Sequence, residues 1–88
     1  MNIIMYYHCN VHKSFDSMGF PEAMFPETPS GRAKLLAYIK KEIAGGTVDL
    51  PDGQTMEALE DVVLNSKNVM SINDYVDYGY VCVGYVEE

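Results

Sequence analysis

Cysteine is scarce in this chain of 88 residues, which contains only Cys9 and Cys82. Small secreted domains that cannot build a sufficient hydrophobic core depend on several disulfides, and two cysteines are too few for such a framework. We therefore expect a reducing compartment, the cytoplasm, in which both side chains remain thiols.

Long apolar runs are also missing. No stretch approaches the roughly 20 apolar residues that a membrane-spanning helix needs. Residues 1–7 carry no basic side chain, and their apolar run is shorter than the core of a secretory signal peptide. We expect neither export nor contact with a membrane.

Basic residues are few: six Lys and Arg stand against 13 Asp and Glu, for a formal net charge of −7. A field of that sign repels nucleic-acid phosphates and attracts basic partners. We therefore expect no direct binding of nucleic acid. Negative charge also improves solubility in its own right, so the net charge alone does not define a function.

The length and composition indicate a single globular domain that spans residues 1–88. Hydrophobic residues make up 48% and charged residues 22%, both ordinary values for a globular protein. Residues 2–9 and 78–86 are rich in β-branched and aromatic types, which predicts a strand near each end of the chain. Residues 10–30 contain three prolines within nine positions, which predicts an ordered loop without a regular ladder.

Two helices are predicted between these strands. Ser30 can cap the first helix, residues 31–44, and Thr55 can cap the second, residues 56–65. Residues 66–77 give no clear prediction. The predicted fold class is therefore α+β: a small antiparallel sheet, including the N- and C-terminal strands, packed against two helices.

His8, Cys9 and His12 could begin a metal site, with Cys82 as a further ligand. Zinc favours such tetrahedral sets, but neighbours on a strand point to opposite faces, and the chain has no second Cys or His pair at metal-site spacing. We favour core cysteines and surface or loop histidines, and we expect no metal and no other cofactor. One variant, Cys9 opposite Cys82 on paired strands, stays open.

A nucleophilic site could combine Cys9 or Ser14 with His8, His12 and Asp16. Such sites need a nucleophile held by a base that a third group orients, and no local signature of that kind is present. A chain this small also has little room for a water-excluding pocket. We expect no enzymatic activity and assign no catalytic residue; a metal- or thiol-dependent enzyme is the weakest alternative.

The start of the first predicted helix, Ser30 to Arg32, offers free N–H groups beside a cation, which is the chemistry of an anion site. Ordinary helix caps have the same composition, so we favour capping and leave anion binding open. Arg32, together with Lys34, Lys40 and Lys41, is interpreted as a solvated helix face or as a charge match with the second helix.

Acidic residues are distributed unevenly. Residues 42–66 contain six Asp or Glu and no basic residue, and residues 71–80 mix carboxylates with tyrosines. Tyrosine gives a large contact area at low entropic cost and is common in binding hot spots. We therefore predict that this region binds a partner protein with a basic surface. The predicted contact set is Glu57, Glu60, Asp61, Asp74, Tyr75, Asp77 and Tyr78.

In size, acidity and predicted fold type the chain is similar to small proteins that phages and mobile elements make against host nucleases and other defence systems. The similarity implies an inhibitor that occupies a basic, nucleic-acid-binding surface of a defence complex in the host cytoplasm. Two alternatives stay open. The acidic residues are only a solvated face, or the chain is a small dimeric regulatory or scaffolding module that pairs through a terminal strand edge.

Overall fold

The computed structural model describes residues 1–8 and 21–87. Within them the chain forms, in order, β1 (Asn2–His8), β2 (Ala23–Pro26), α1 (Pro29–Ala44), α2 (Met56–Asn65), a 3₁₀ helix (Val69–Asp74) and β3 (Gly79–Tyr85). The strands make one antiparallel sheet in the order β2–β1–β3. The predicted α+β fold, with both terminal strands in the sheet and two helices packed against it, is confirmed.

The prediction of a loop over residues 10–30 is wrong for residues 23–26, which form β2. The N–H of Glu27 donates to the carbonyl of Asn2 at 3.0 Å. Hydrogen-bonded pairs alternate in an antiparallel ladder, so Pro26, one position earlier, turns its nitrogen away from β1. A proline at such an edge position removes no hydrogen bond from the sheet. The first part of the predicted loop, up to residue 20, lies outside the described residues.

One face of the sheet carries the core. Ile4 and Tyr6 of β1 and Val81 of β3 are fully buried there, and Tyr6 lies opposite Val81 in the strand register. The helices contribute Leu35 and Ile39 of α1, Leu59 and Val63 of α2, and Ile72 of the 3₁₀ helix. Full burial of one such aliphatic side chain contributes roughly 1.5–3 kcal/mol, so this layer fixes both helices on the sheet.

Both α-helices begin at a threonine. Thr55 caps α2 as predicted, because its hydroxyl accepts an N–H from the first turn at 3.1 Å. The predicted cap of α1, Ser30, is wrong: Thr28 is the cap, and its Oγ1 accepts from the N–H of Gly31 at 3.0 Å. The helix begins earlier because Pro29 occupies its first position, where proline has a suitable φ and its missing N–H removes no bond.

Two contacts through backbone groups help to hold the segment between α2 and β3. The backbones of Asp49 and Asp77 exchange hydrogen bonds of 3.1 and 2.8 Å. The side chain of Asn73 bonds both backbone groups of Val81: the N–H of Val81 donates to Oδ1 at 2.7 Å, and Nδ2 donates to the carbonyl of Val81 at 3.1 Å. The 3₁₀ helix therefore lies against the outer edge of β3.

Candidate partner-binding surface

The helix α2 turns an acidic side away from the core. Because Leu59 and Val63 point towards the sheet, Glu57 and Asp61, one turn apart on the opposite side, are exposed. Leu64 follows on the same side and is also exposed. Two residues of the predicted contact set are thus accessible to a partner, next to an apolar side chain.

Glu60 makes an internal ion pair. Its Oε2 lies 2.5 Å from Nζ of Lys40 on α1, so Lys40 has the predicted role of a charge match with the second helix. An exposed pair of this kind contributes at most about 1 kcal/mol. Glu60 is nevertheless less accessible to a partner than Glu57 or Asp61, because a partner would have to compete with Lys40.

The remaining members of the predicted contact set lie in and after the 3₁₀ helix. Asp74 is exposed at the end of that helix. Tyr75 is partly buried and packs against the core, and the backbone of Asp77 forms the bridge to Asp49. Tyr75 and Asp77 therefore also serve the fold.

Tyr78 combines exposure with an unusual backbone conformation. It directly precedes β3 and has a φ of 71°, in the left-handed region, where a bulky side chain is disfavoured by roughly 1–2 kcal/mol. Its side chain is exposed. Strained residues of this kind cluster at functional positions, which favours the inclusion of Tyr78 in the contact set.

Arg32 does not belong to a solvated basic face, since it is only 8% exposed. Its guanidinium donates to the carboxylate of Glu27 through Nε at 2.7 Å and Nη2 at 3.2 Å, and to the carbonyl of Ser66 through Nη1 at 2.5 Å. The last carbonyls of a helix have no partner within the helix, and Arg32 supplies one. At the candidate anion site, Thr28 takes up the Gly31 N–H and Glu27 takes up Arg32, so internal groups occupy these two donors.

A cluster that the sequence analysis missed lies at the end of β1. Nε2 of His8 is 2.5 Å from Oε1 of Glu42, and Nδ1 is 3.6 Å from Oε1 of Glu22. His8 ends β1, within the predicted strand of residues 2–9, and its side chain is partly buried between two carboxylates. No local sequence pattern predicts the contact between His8 and Glu42, because the two residues are 34 positions apart.

Tyr38 belongs to the same cluster, since its pKa depends on the same two carboxylates. Burial raises the pKa of Tyr38 above its usual value, and the negative charges of Glu42 and Glu22 and a hydrogen bond to Glu42 raise it further. The ring of Tyr6 makes edge contacts with both His8 and Tyr38. The cluster therefore joins β1 to the C-terminal part of α1.

The β1–β3 register places Met5 opposite Cys82, so the variant with Cys9 in that position is wrong. Cys82 is partly buried on the sheet, and burial raises the pKa of its thiol. In residues 1–8 and 21–87, no three His, Cys, Asp or Glu side chains are placed to hold a metal ion. The other candidate ligands and nucleophiles, Cys9, His12, Ser14 and Asp16, lie outside the described residues.

Comparisons with protein-family models, with curated proteins and with solved structures give no match for this chain. Among the helices in the described part of the chain, none is both long enough and apolar enough to cross a bilayer.

Proposed function

We propose that this chain is a non-enzymatic binding protein that covers a basic surface of a partner protein. The observation that carries the proposal is the acidic outer side of α2. Glu57 and Asp61 are exposed there, and no described residue forms an ion pair with either. Residues 42–66 contain no Lys or Arg to neutralise them. A partner that presents Lys or Arg gains charge pairs without displacing an internal cation.

The partner that best fits this surface is a protein with a nucleic-acid-binding groove, because Lys and Arg line such grooves to neutralise phosphates. In this proposal the chain is an inhibitor, encoded by a phage or mobile element, that acts on a host defence nuclease complex in the cytoplasm. Charge complementarity speeds association and weakens as salt screens it, so binding should be salt-sensitive.

Charge reversal on α2 tests the proposal. The variants Glu57→Lys and Asp61→Lys, made singly and together, serve as baits in affinity capture from host lysate at low and high salt. Glu22→Lys is the matched control, since it reverses an exposed carboxylate outside α2 and changes the net charge as much as either single variant.

We expect wild type and Glu22→Lys to capture the same basic protein at low salt and to release it at high salt, whereas the double variant does not capture it. The captured protein should then lose its nucleic-acid binding when the wild-type chain is added. Capture that is indifferent both to salt and to the charge of residues 57 and 61 would remove the proposal.

A small dimeric module is the second candidate, and a specific feature supports it. A groove of about 400 Å³ without a charged side chain lies at the end of the sheet that carries Met1 and Val86, and its lining is Met1, Ile3, Met24, Phe25, Pro26 and Val86. Met24 is 61% exposed there. Sedimentation equilibrium separates the candidates: a dimer that Met24→Glu dissociates supports the module, and a monomer at every concentration excludes it.

A further inference from the structure

The two edges of the sheet differ in their protection. The backbone of Glu27 is hydrogen-bonded to that of Asn2, and hydrogen-bonded positions alternate along an antiparallel pair. The backbone groups of Met24 and Pro26 therefore point away from β1. Pro26 has no N–H to offer, and its carbonyl accepts from the N–H of Thr28 at 2.9 Å. A short edge strand with an outward proline resists pairing with another chain, so β2 is a closed edge.

The edge of β3 is closed only over its first half. Asn73 bonds the outward N–H and carbonyl of Val81. Because outward positions recur every second residue, the backbone groups of Val83 and Tyr85 also point away from β1. No described residue outside β1 pairs with this part of β3.

Side-chain exposure also increases along β3 from Val81 to Tyr85. Val81 is fully buried, whereas Val83 is 43% and Tyr85 71% exposed, although all three lie on one face of the strand. The helical layer therefore ends after Val81. The last part of β3 offers backbone groups that pair with no residue of 1–8 or 21–87, and two exposed apolar side chains, with no lysine or proline at positions 83–85 to protect the edge.

We infer that the edge of β3 at Val83–Tyr85 accepts an extended segment of a basic partner protein as a fourth strand. The inference rests on the proposed function, because the charges around this edge select the occupant. Exposed carboxylates lie near both ends of the open edge: Asp74 follows Asn73, and Glu87 follows the strand. The chain has no Lys or Arg after Lys67.

A second copy of this chain fits the edge less well. If two copies paired through their β3 strands, the Glu87 of one copy would approach Asp74 and Glu87 of the other. Like charges on adjacent strands are destabilising. A segment with alternating apolar and basic residues instead places cross-strand partners beside Val83 and Tyr85 and cations beside Asp74 and Glu87. Backbone pairing of this kind supplies affinity, and the alternate side chains supply specificity.

Three synthetic peptides test the inference. In each, valine or threonine alternates with a second residue, which is lysine in the first peptide, glutamate in the second and serine in the third. The readout is amide hydrogen exchange of the protein followed by NMR. We expect the lysine peptide to slow exchange at Val83 and Tyr85 by about tenfold or more, as newly formed hydrogen bonds do. The amide of Gly84, which pairs with Ile3 in β1, is the internal reference and should not change.

Two variants locate the effect. Val83→Pro removes an outward N–H and leaves the β1 pairing intact, so it should abolish the protection at Tyr85. Val83→Lys keeps the N–H and places a cation on the edge, so it should weaken binding of the lysine peptide several-fold. The lysine variant decides the test if the proline variant does not fold.

Three results would overturn the inference: no added protection with the lysine peptide at saturation, equal protection with the glutamate peptide, or protection that grows with the protein's own concentration. The third result identifies a second copy as the occupant. Binding of the lysine peptide that is lost in Glu57→Lys/Asp61→Lys but unchanged in both Val83 variants also overturns it, while the proposed function stands. Equal protection by the serine peptide, insensitive to salt, removes the basic occupant of this edge, while the proposed function, which rests on Glu57 and Asp61, is decided by the capture experiment.

Discussion

The guanidinium of Arg32 faces the carboxylate of Glu27 across two hydrogen bonds, of 2.7 Å from Nε and 3.2 Å from Nη2. The same guanidinium reaches the carbonyl of Ser66, just after α2. One side chain thus connects the residue before the cap of α1 with the C-terminus of α2. Because Arg32 is almost fully buried, this connection lies between the helices rather than at the surface.

Replacing Arg32 by methionine should lower the free energy of unfolding by about 2–3 kcal/mol. The change leaves Glu27 and the carbonyl of Ser66 without their donor, and such losses are larger than the net value of the pair itself. The loss stays moderate because Glu27 keeps some contact with water. Urea denaturation measures the effect, and Lys34→Met, an exposed site on the same helix, should change stability by no more than about 0.5 kcal/mol. Equal stability of the two variants would contradict this role of Arg32.

Gly31→Ala should destabilise the fold by about 3 kcal/mol or more. A Cβ at position 31 would lie 1.8 Å from the backbone carbonyl oxygen of Pro26, so β2 and α1 would have to separate, and overpacking against backbone is costly. Gly45→Ala is the matched control, since the nearest atom to its Cβ lies at an ordinary 3.5 Å. Thermal denaturation should show a large decrease in Tm for the first variant and little change for the second.

Tyr78→Gly should stabilise the protein and weaken partner binding. Glycine adopts a positive φ freely, so the substitution removes backbone strain of roughly 1–2 kcal/mol, reduced by the side-chain contacts that are lost. If Tyr78 belongs to the contact set, binding falls while stability rises. A variant that is both more stable and fully active in capture would exclude Tyr78 from the interface.

Alkaline pH should reduce stability in part through Tyr38. The pKa of Tyr38 is raised above its ordinary value of 10.0, first by burial and then by the charges of Glu42 and Glu22. The folded state therefore holds this proton to higher pH than the unfolded state does. The stabilising contribution is complete below about pH 10 and is lost as pH rises through the raised pKa. The stability difference between wild type and Tyr38→Phe should be constant at neutral pH and should decrease only above pH 10. A difference that already changes between pH 6 and pH 9 would contradict this assignment.

Much of α2 could be predicted from local sequence because its signals are local. Thr55 supplies a cap within the first turn, and the spacing of Leu59 and Val63 shows which side is buried. The same spacing placed Glu57 and Asp61 outside. β2 could not be predicted in this way, because whether Pro26 is tolerated depends on which side of β2 the neighbouring strand lies.

The exact partners of charged side chains could not be predicted, because they lie on different elements. A charge match between Lys40 and the second helix was one of two interpretations, but that Lys40 meets Glu60 depends on how α1 and α2 pack. His8 meets Glu42 because β1 ends beside the C-terminal part of α1. Nothing in either local pattern specifies that packing. Side-chain charge could therefore be predicted at each position, but not which charges neutralise one another.

Asn73 acts as a stop on the outer edge of β3, because its amide occupies the place that the next strand would take at Val81. In the proposed complex the added strand would therefore end before Val81, at a limit set by the 3₁₀ helix and not by the sheet itself. A substitution of Asn73 would remove the amide from the backbone groups of Val81, but Val81 would stay buried under the 3₁₀ helix, so the open edge would still begin at Val83.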